Sequence, residues 1–306
     1  MEKFLVVKGS GGLSNRIQAV AGGILYCLLS GRTLVVDWRD SLYSNDFVNV
    51  FPLFFEVSGL RIDHRIPMSG TVYPDFWGTW LAEPIAVEYF FKGEHLEAEH
   101  FARTCIDVTR FDYEEDVVVA WAPDMRLVTA LAPLVAATIP RFAGCSDKAI
   151  FRILFAEYIL PAREITEAVD AFAVEHFKAG ATVGVHIRHT DLQSPVEAFI
   201  KTLMAMPGLH ESVIFLATDN RFVQQSLKRI FKNIVHIDKY FPAGTEPLHS
   251  HFRGVDNIRK GRDALVDMFL LSRCDAIVHY EPSSFARVPI LLSGLPEEKV
   301  IAISGA

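Results

Sequence analysis

Cysteine is scarce in this chain. There are four among 306 residues, Cys27, Cys105, Cys145 and Cys274, and each is far from the others. No CxxC or Cys/His spacing occurs, which argues against a zinc module or a disulfide framework. The opening MEKFLVVKGSGG has too few apolar residues for an export signal, so the thiols read as reduced and mostly buried in a cytoplasmic protein. Basic charge is also short. Thirty Lys and Arg face 37 Asp and Glu, a formal charge of −7, without the phosphate-neutralising excess of a general nucleic-acid binder. Long apolar runs are missing too. The longest, residues 19–29, is bounded by Gln18 and Ser30 and falls below the ~18 residues that a transmembrane segment needs. No Walker sequence, HExxH pair or carboxylate cluster is present, so neither a P-loop kinase nor a metal centre is expected.

What is present is an apolar chain, 50% hydrophobic and only 22% charged, with enough length for about two domains of roughly 150 residues. Residues 4–8 read as a strand, Gly9-Ser-Gly11-Gly12 as a turn, residues 17–29 as the body of a helix that Ser14 can cap, and residues 33–37 as a β-branched strand. Between residues 47 and 111 periodicity is poor and aromatics are dense. After Gly180 the pattern is clean: strands near 182–187, 212–217, 233–237, 276–278 and 300 alternate with helices near 196–206, 221–231, 262–272 and 284–292. Such alternation means βαβ units and a parallel sheet. The expected division is an N-terminal α/β domain over 1–178 and a C-terminal nucleotide-binding domain over 179–306. Residues 240–260 lack periodicity and read as a functional loop.

Chemistry-bearing residues gather at strand ends, where open α/β sheets bind ligands. His186 and Arg188 share one face of the strand end that continues into His189-Thr-Asp191, and an Arg there can clamp a phosphate with two hydrogen bonds. A structural Arg188–Asp191 ion pair is the plainer alternative. Asp219 follows the strand 212–217 and is either a ligand or a helix cap. Asp267 lies in an apolar helix, where a buried carboxylate needs a partner or a ligand. Ser283 and Ser284 open a helix, as phosphate ligands or as simple caps. In the first domain, Gly12 and Asn15 sit on a glycine loop followed by a strand ending in Asp37. That order is close to a dinucleotide fingerprint lacking its third glycine, so a nicotinamide-dependent oxidoreductase is one alternative. A non-catalytic binder of sugar nucleotides or glycans is another. Tyr73, Phe76, Trp77 and Trp80 offer rings for stacking on sugars, or for a core.

The segments His186-Ile-Arg188-His189-Thr190-Asp191, Phe215-Leu-Ala-Thr-Asp219, and Asp267 to Asp275 with Pro282-Ser-Ser284 resemble the three donor-binding motifs of the alpha-1,6-fucosyltransferase superfamily. Pro247-Leu-His249-Ser-His251 is similar to its bacterial nodulation-type members, and Gly11-Gly12-Leu-Ser-Asn15-Arg16 to the loop that opens their first domain. The resemblance implies a GT-B-like α/β protein of two Rossmann-like domains. It implies inverting transfer of fucose from GDP-fucose to a GlcNAc-containing oligosaccharide, with no metal and no other cofactor. By the same resemblance Arg188 neutralises the departing diphosphate, Ser283 and Ser284 hold phosphate oxygens, and His186 and Asp267 hold guanine. Glu197 stands one residue from the place where mammalian-type relatives carry the base, and His189 replaces the second Arg of some relatives.

Overall fold

A computed structural model describes residues 2–68, 70–91, 98–122, 124–177 and 180–304. The chain divides into two compact units, Met1–Ala162 and Arg163–Ala306. The sequence places the division at 178/179, and those two residues lie outside the described set. The helix Arg163–His176 precedes that point yet belongs to the second unit, where Arg262 on the helix Asn257–Ser272 and Arg273 at its C-cap pair with its Glu164 and Asp170.

The first unit holds strands β1 (Phe4–Lys8), β2 (Thr33–Asp37), β3 (Phe55–Val57), β4 (Ile62–Asp63), β5 (Val72–Tyr73), β6 (Val117–Ala120) and β7 (Ile159–Pro161). Five of them make a parallel sheet in the order β4-β2-β1-β6-β5, and β3 pairs antiparallel with β7. The β1, β2 and β6 runs are apolar almost without interruption, as strands covered on both faces must be, and Leu5, Val6, Leu34 and Val118 are wholly buried. The helix that follows β1 runs Leu13–Ser30 and starts from Gly12. Ser14 is therefore not its cap: it is the helix's second residue, buried, with its hydroxyl and carbonyl accepting from Gln18 Nε2. The aromatic segment is mainly core. Trp77 is fully buried and donates its indole N–H to the Thr104 carbonyl at 2.7 Å, within a cluster of Phe76, Phe90, Phe91 and Trp121. Tyr73 stacks on Tyr113, and Trp80, 40% exposed, is the ring of the four that faces water most.

The second unit is a five-stranded parallel sheet of β8 (Thr182–Ile187), β9 (Val213–Thr218), β10 (Ile234–Val235), β11 (Ala276–Tyr280) and β12 (Val300–Ile303), in the order β10-β9-β8-β11-β12. In chain order that is third, second, first, fourth, fifth. Connections leave β8 toward β9 on one side, while β11 lies on the other, so the switch point falls between β8 and β11, and a crevice opens past their carboxyl ends. One face of the sheet packs Val185, Ile187 and Ile214 against Phe199, Leu203 and Leu227 of the connecting helices. Among the described residues no helix is long and apolar enough to cross a membrane, and no disulfide forms among Cys27, Cys105, Cys145 and Cys274.

Candidate functional site at the carboxyl edge of the second sheet

His186 is the next-to-last residue of β8, and His279 on β11 is its register partner across the switch point. The His186 ring is 6% exposed and stacks on Phe285 at 4.9 Å between centroids. Burial, then the nearby His279, Arg188 and Lys239, push its pKa down to about 3, so the ring is neutral at physiological pH. Its Nδ1 is buried without a hydrogen-bond partner.

Past the strand end, Arg188 forms a two-pronged pair with Asp191, Nε to Oδ1 at 2.8 Å and the second prong through Nη2. The Arg188 side chain keeps 18% exposure. Burial alone would raise the Asp191 pKa, but the Arg188 hydrogen bonds and charge outweigh it and hold the carboxyl below its ordinary range. The plainer alternative of an ion pair is thus present, and it leaves Nη1 of the guanidinium free to meet an anion.

The loop carrying Arg188 is built by its neighbours. Asp219, which the sequence offers as a ligand or a cap, is not the cap: its Oδ1 accepts from the His189 backbone N–H at 2.7 Å and its Oδ2 from the Thr190 hydroxyl at 2.6 Å. The cap of the helix Arg221–Ile230 is Asn220, which accepts from Val223 N and donates to the His189 carbonyl. Ser194 donates to the Arg188 carbonyl at 2.6 Å, and His189 Nδ1 meets the Ser194 carbonyl at 3.1 Å. That bond assigns the Nδ1 proton and directs the other ring nitrogen away.

Two further polar atoms are buried without partners. Ser283, 1% exposed, does not cap the turn that follows it, and its Oγ bonds to nothing. Ser284 opens a short 3₁₀ turn, Ser284–Ala286, before the helix Arg287–Ser293, so the expected helix 284–292 begins three residues late. Asp267, 2% exposed, pairs with Lys239 through Oδ2, while Oδ1 has no partner. Burial outweighs the Lys239 charge and raises its pKa. The sequence marks Asp267 but gives no sign of Lys239, because the partner lies 28 residues away in an irregular segment. The same segment is tied down by Lys260, 2% exposed, whose Nζ donates to the Ser250 carbonyl and to Asn257 Oδ1 at 2.7 Å. Burial lowers the Lys260 pKa to about 7.

Glu197 stands apart from this cluster. It lies in the first turn of the helix Val196–Ala205, exposed, with Ile200, Lys201, Met204 and Ala205 along a groove of about 450 Å³. Gly12 and Asn15 belong to the first unit. Gly12 starts the helix, and Asn15 Oδ1 has no partner.

The oxidoreductase alternative fails on geometry. Asp37 has a fully buried side chain, with Oδ2 on Lys8 at 2.6 Å and Oδ1 on Arg39 at 2.8 Å, so it cannot take a ribose hydroxyl. Gly9 is required by Arg16, not by a pyrophosphate: a Cβ there would meet Arg16 Nη1 at 2.5 Å. Arg16 is itself completely buried, on Asp40 at 2.7 Å and the Gly11 carbonyl at 2.8 Å.

The family model for nodulation protein Z (NodZ) matches residues 135–302, more than half of the chain. The chain belongs to the NodZ family. Nodulation protein Z of Bradyrhizobium diazoefficiens is 25% identical over 311 residues, covering 92% of this chain and 77% of its own. A crystal structure of NodZ alpha-1,6-fucosyltransferase soaked with GDP-fucose superposes with a TM-score of 0.67 at 25% identity, covering 95% of this chain and 93% of that one. A mutant of Arabidopsis thaliana FUT1 in complex with GDP, at 15% identity, shares the fold with a TM-score of 0.60 over 96% of this chain and 70% of its own. The GT-B-like α/β fold, with a parallel sheet in each unit, is therefore that of NodZ and its fucosyltransferase neighbours. Among the described residues no group of three or more His, Cys, Asp or Glu is placed to hold a metal ion.

Proposed function

We propose that this chain is a fucosyltransferase that moves fucose from GDP-fucose to a GlcNAc-containing oligosaccharide, with inversion and without a metal cofactor. One observation carries the reading. His186 Nδ1, Ser283 Oγ and Asp267 Oδ1 are all buried and unbonded in the unit whose switch point also bears Arg188. Orphaned buried polar atoms are costly, and a ligand that satisfies several at once accounts for them.

In this proposal the acceptor hydroxyl oxygen attacks the fucose anomeric carbon while the bond to the diphosphate oxygen breaks, its electron pair leaving with GDP. Arg188 faces the negative charge that grows on that oxygen, an interaction stronger in the transition state than in the ground state. Asp191 holds the guanidinium in orientation, and His189 flanks the diphosphate. Ser283 and Ser284 donate to phosphate oxygens, while His186 and Asp267 take the guanine. Glu197 accepts the acceptor proton. Gly12 and Asn15 are donor-binding by the same resemblance, and the first unit, which carries them, is proposed to bind the oligosaccharide. The family resemblance supports these assignments, with a cytoplasmic location as the corresponding expectation.

Calorimetric titration tests the proposal. GDP is expected to bind more tightly than UDP or ADP, EDTA to leave the affinity unchanged, and Arg188→Ala to remove most of it. A preference for UDP would rule out GDP-fucose as the donor, and tight GDP binding with no transfer to any chitin oligosaccharide would rule out the enzyme.

A further inference from the structure

Asp267 presents half a carboxylate. The Lys239 ammonium donates to Oδ2, and both side chains are within 5% of full burial. Oδ1 is equally buried and has no donor. An ion pair kept for structure alone gains little unless its remaining lone pairs are also satisfied, so the empty Oδ1 asks for something from outside the chain. Lys239 also lies close enough for its charge to act on the His186 ring, which places the pair in the same cluster as Arg188 and His186.

We infer that Lys239 determines base specificity, its ammonium donating to O6 of a guanine whose N1–H and N2 amino group are received by Asp267. This rests on reading the cluster as a GDP-sugar site. Guanine presents an acceptor, O6, beside two donors, and an ammonium beside a carboxylate is its complement. Adenine would turn an amino group toward the ammonium and a bare ring nitrogen toward the carboxylate. Uracil would satisfy the ammonium and one carboxylate oxygen but would set its O2 carbonyl against the other. The choice of lysine over arginine follows from the same geometry. An arginine fork would occupy both carboxylate oxygens, whereas the compact ammonium leaves Oδ1 open.

The test is equilibrium binding of GDP, inosine diphosphate and the diphosphate of 2,6-diaminopurine riboside, which carries an amino group in place of O6 and a bare N1 in place of N1–H. The wild-type chain should prefer GDP to the diaminopurine nucleotide at least tenfold, with inosine diphosphate between them. Lys239→Met should weaken GDP roughly ten- to hundredfold, as expected for a lost charged hydrogen bond, while leaving the diaminopurine nucleotide unchanged. Lys239→Arg should lose GDP as well, by closing Oδ1. Lys239→Met leaves Asp267 without its counter-ion, so the Lys239→Met/Asp267→Asn pair provides the neutral, well-folded comparison. In it, as in Lys239→Met, the ratio of GDP to diaminopurine affinity should fall at least tenfold from the wild-type value, whatever preference Asp267 keeps through N1. If that ratio stays at the wild-type value in either Met variant, Lys239 does not read O6 and the inference is overturned. If the wild-type chain binds no GDP at all, the donor reading fails first, and the Lys239 assignment with it.

Discussion

Asp219 braces the loop that carries Arg188. Both of its oxygens are occupied by the loop, one on the His189 N–H and one on the Thr190 hydroxyl, and hydrogen bonds to a charged group are worth about 1.5–3 kcal/mol each. Asp219→Ala should therefore release the 188–191 loop and weaken GDP binding by about tenfold or more. A double-mutant cycle separates this from direct contact. In an Arg188→Ala background the same change should cost less than about 0.5 kcal/mol in binding, since the loop no longer carries a guanidinium to position. Fully additive losses in calorimetry would instead put Asp219 on the donor. At this scale the sequence was legible where a polar residue follows an apolar strand: His186, Arg188, Asp219 and Ser283 all stand out that way. Buried Lys8, Arg16, Lys239 and Lys260 were not legible. Whether a charge is buried depends on partners far along the chain, and a lone Lys in a sequence looks like surface.

Among the elements, the second unit's five strands and its helices could be read from alternation, most clearly at β8, β9 and β11, which are buried almost throughout. Even so, the helix ending at Ser272 starts at Asn257, five residues before its apolar pattern, since Asp256 caps it by accepting from Arg259 N. The first unit was harder to read. β4 and β5 have two residues each and β3 and β7 three, too short for any period to show, and their positions are fixed by pairing rather than by local preference. Close packing of elements also yields a prediction. Gly22 lies where the helix Leu13–Ser30 meets the helix Arg126–Thr138, and a Cβ there would sit 2.3 Å from Leu127 Cβ, with Leu127 backbone at 3.3 Å. Neither atom is the free end of a side chain. Gly22→Ala should therefore force the helices apart at a cost of about 1–3 kcal/mol in urea unfolding. Gly78, with nothing within 4 Å of its Cβ position, is the control, and alanine there should be neutral or stabilising by up to ~1 kcal/mol.

For the molecule as a whole, the two units need separate probes. All four tryptophans, Trp38, Trp77, Trp80 and Trp121, belong to the first unit, so tryptophan fluorescence is silent on the second, where His186 resides. The His186 pKa drops to about 3 in the fold because burial excludes its charge, against about 6.5 in an unfolded chain. Between those values the unfolded chain carries a proton that the folded chain does not, so stability is full above pH 6.5 and declines as pH falls toward 3. Asp263, raised to about 6 by burial, works in the opposite sense, as does Asp267: both take up protons in the fold before they do so unfolded, and they soften the acid limb. Comparing the wild-type chain with His186→Leu cancels those shared contributions. Between pH 6 and 4, hydrogen exchange of the β8 amides should show the wild-type second unit losing about 1.4 kcal/mol per pH unit more than the variant, one proton's worth. Parallel curves would mean that the imidazole is already charged inside the fold, which would also remove it as a neutral partner for a base.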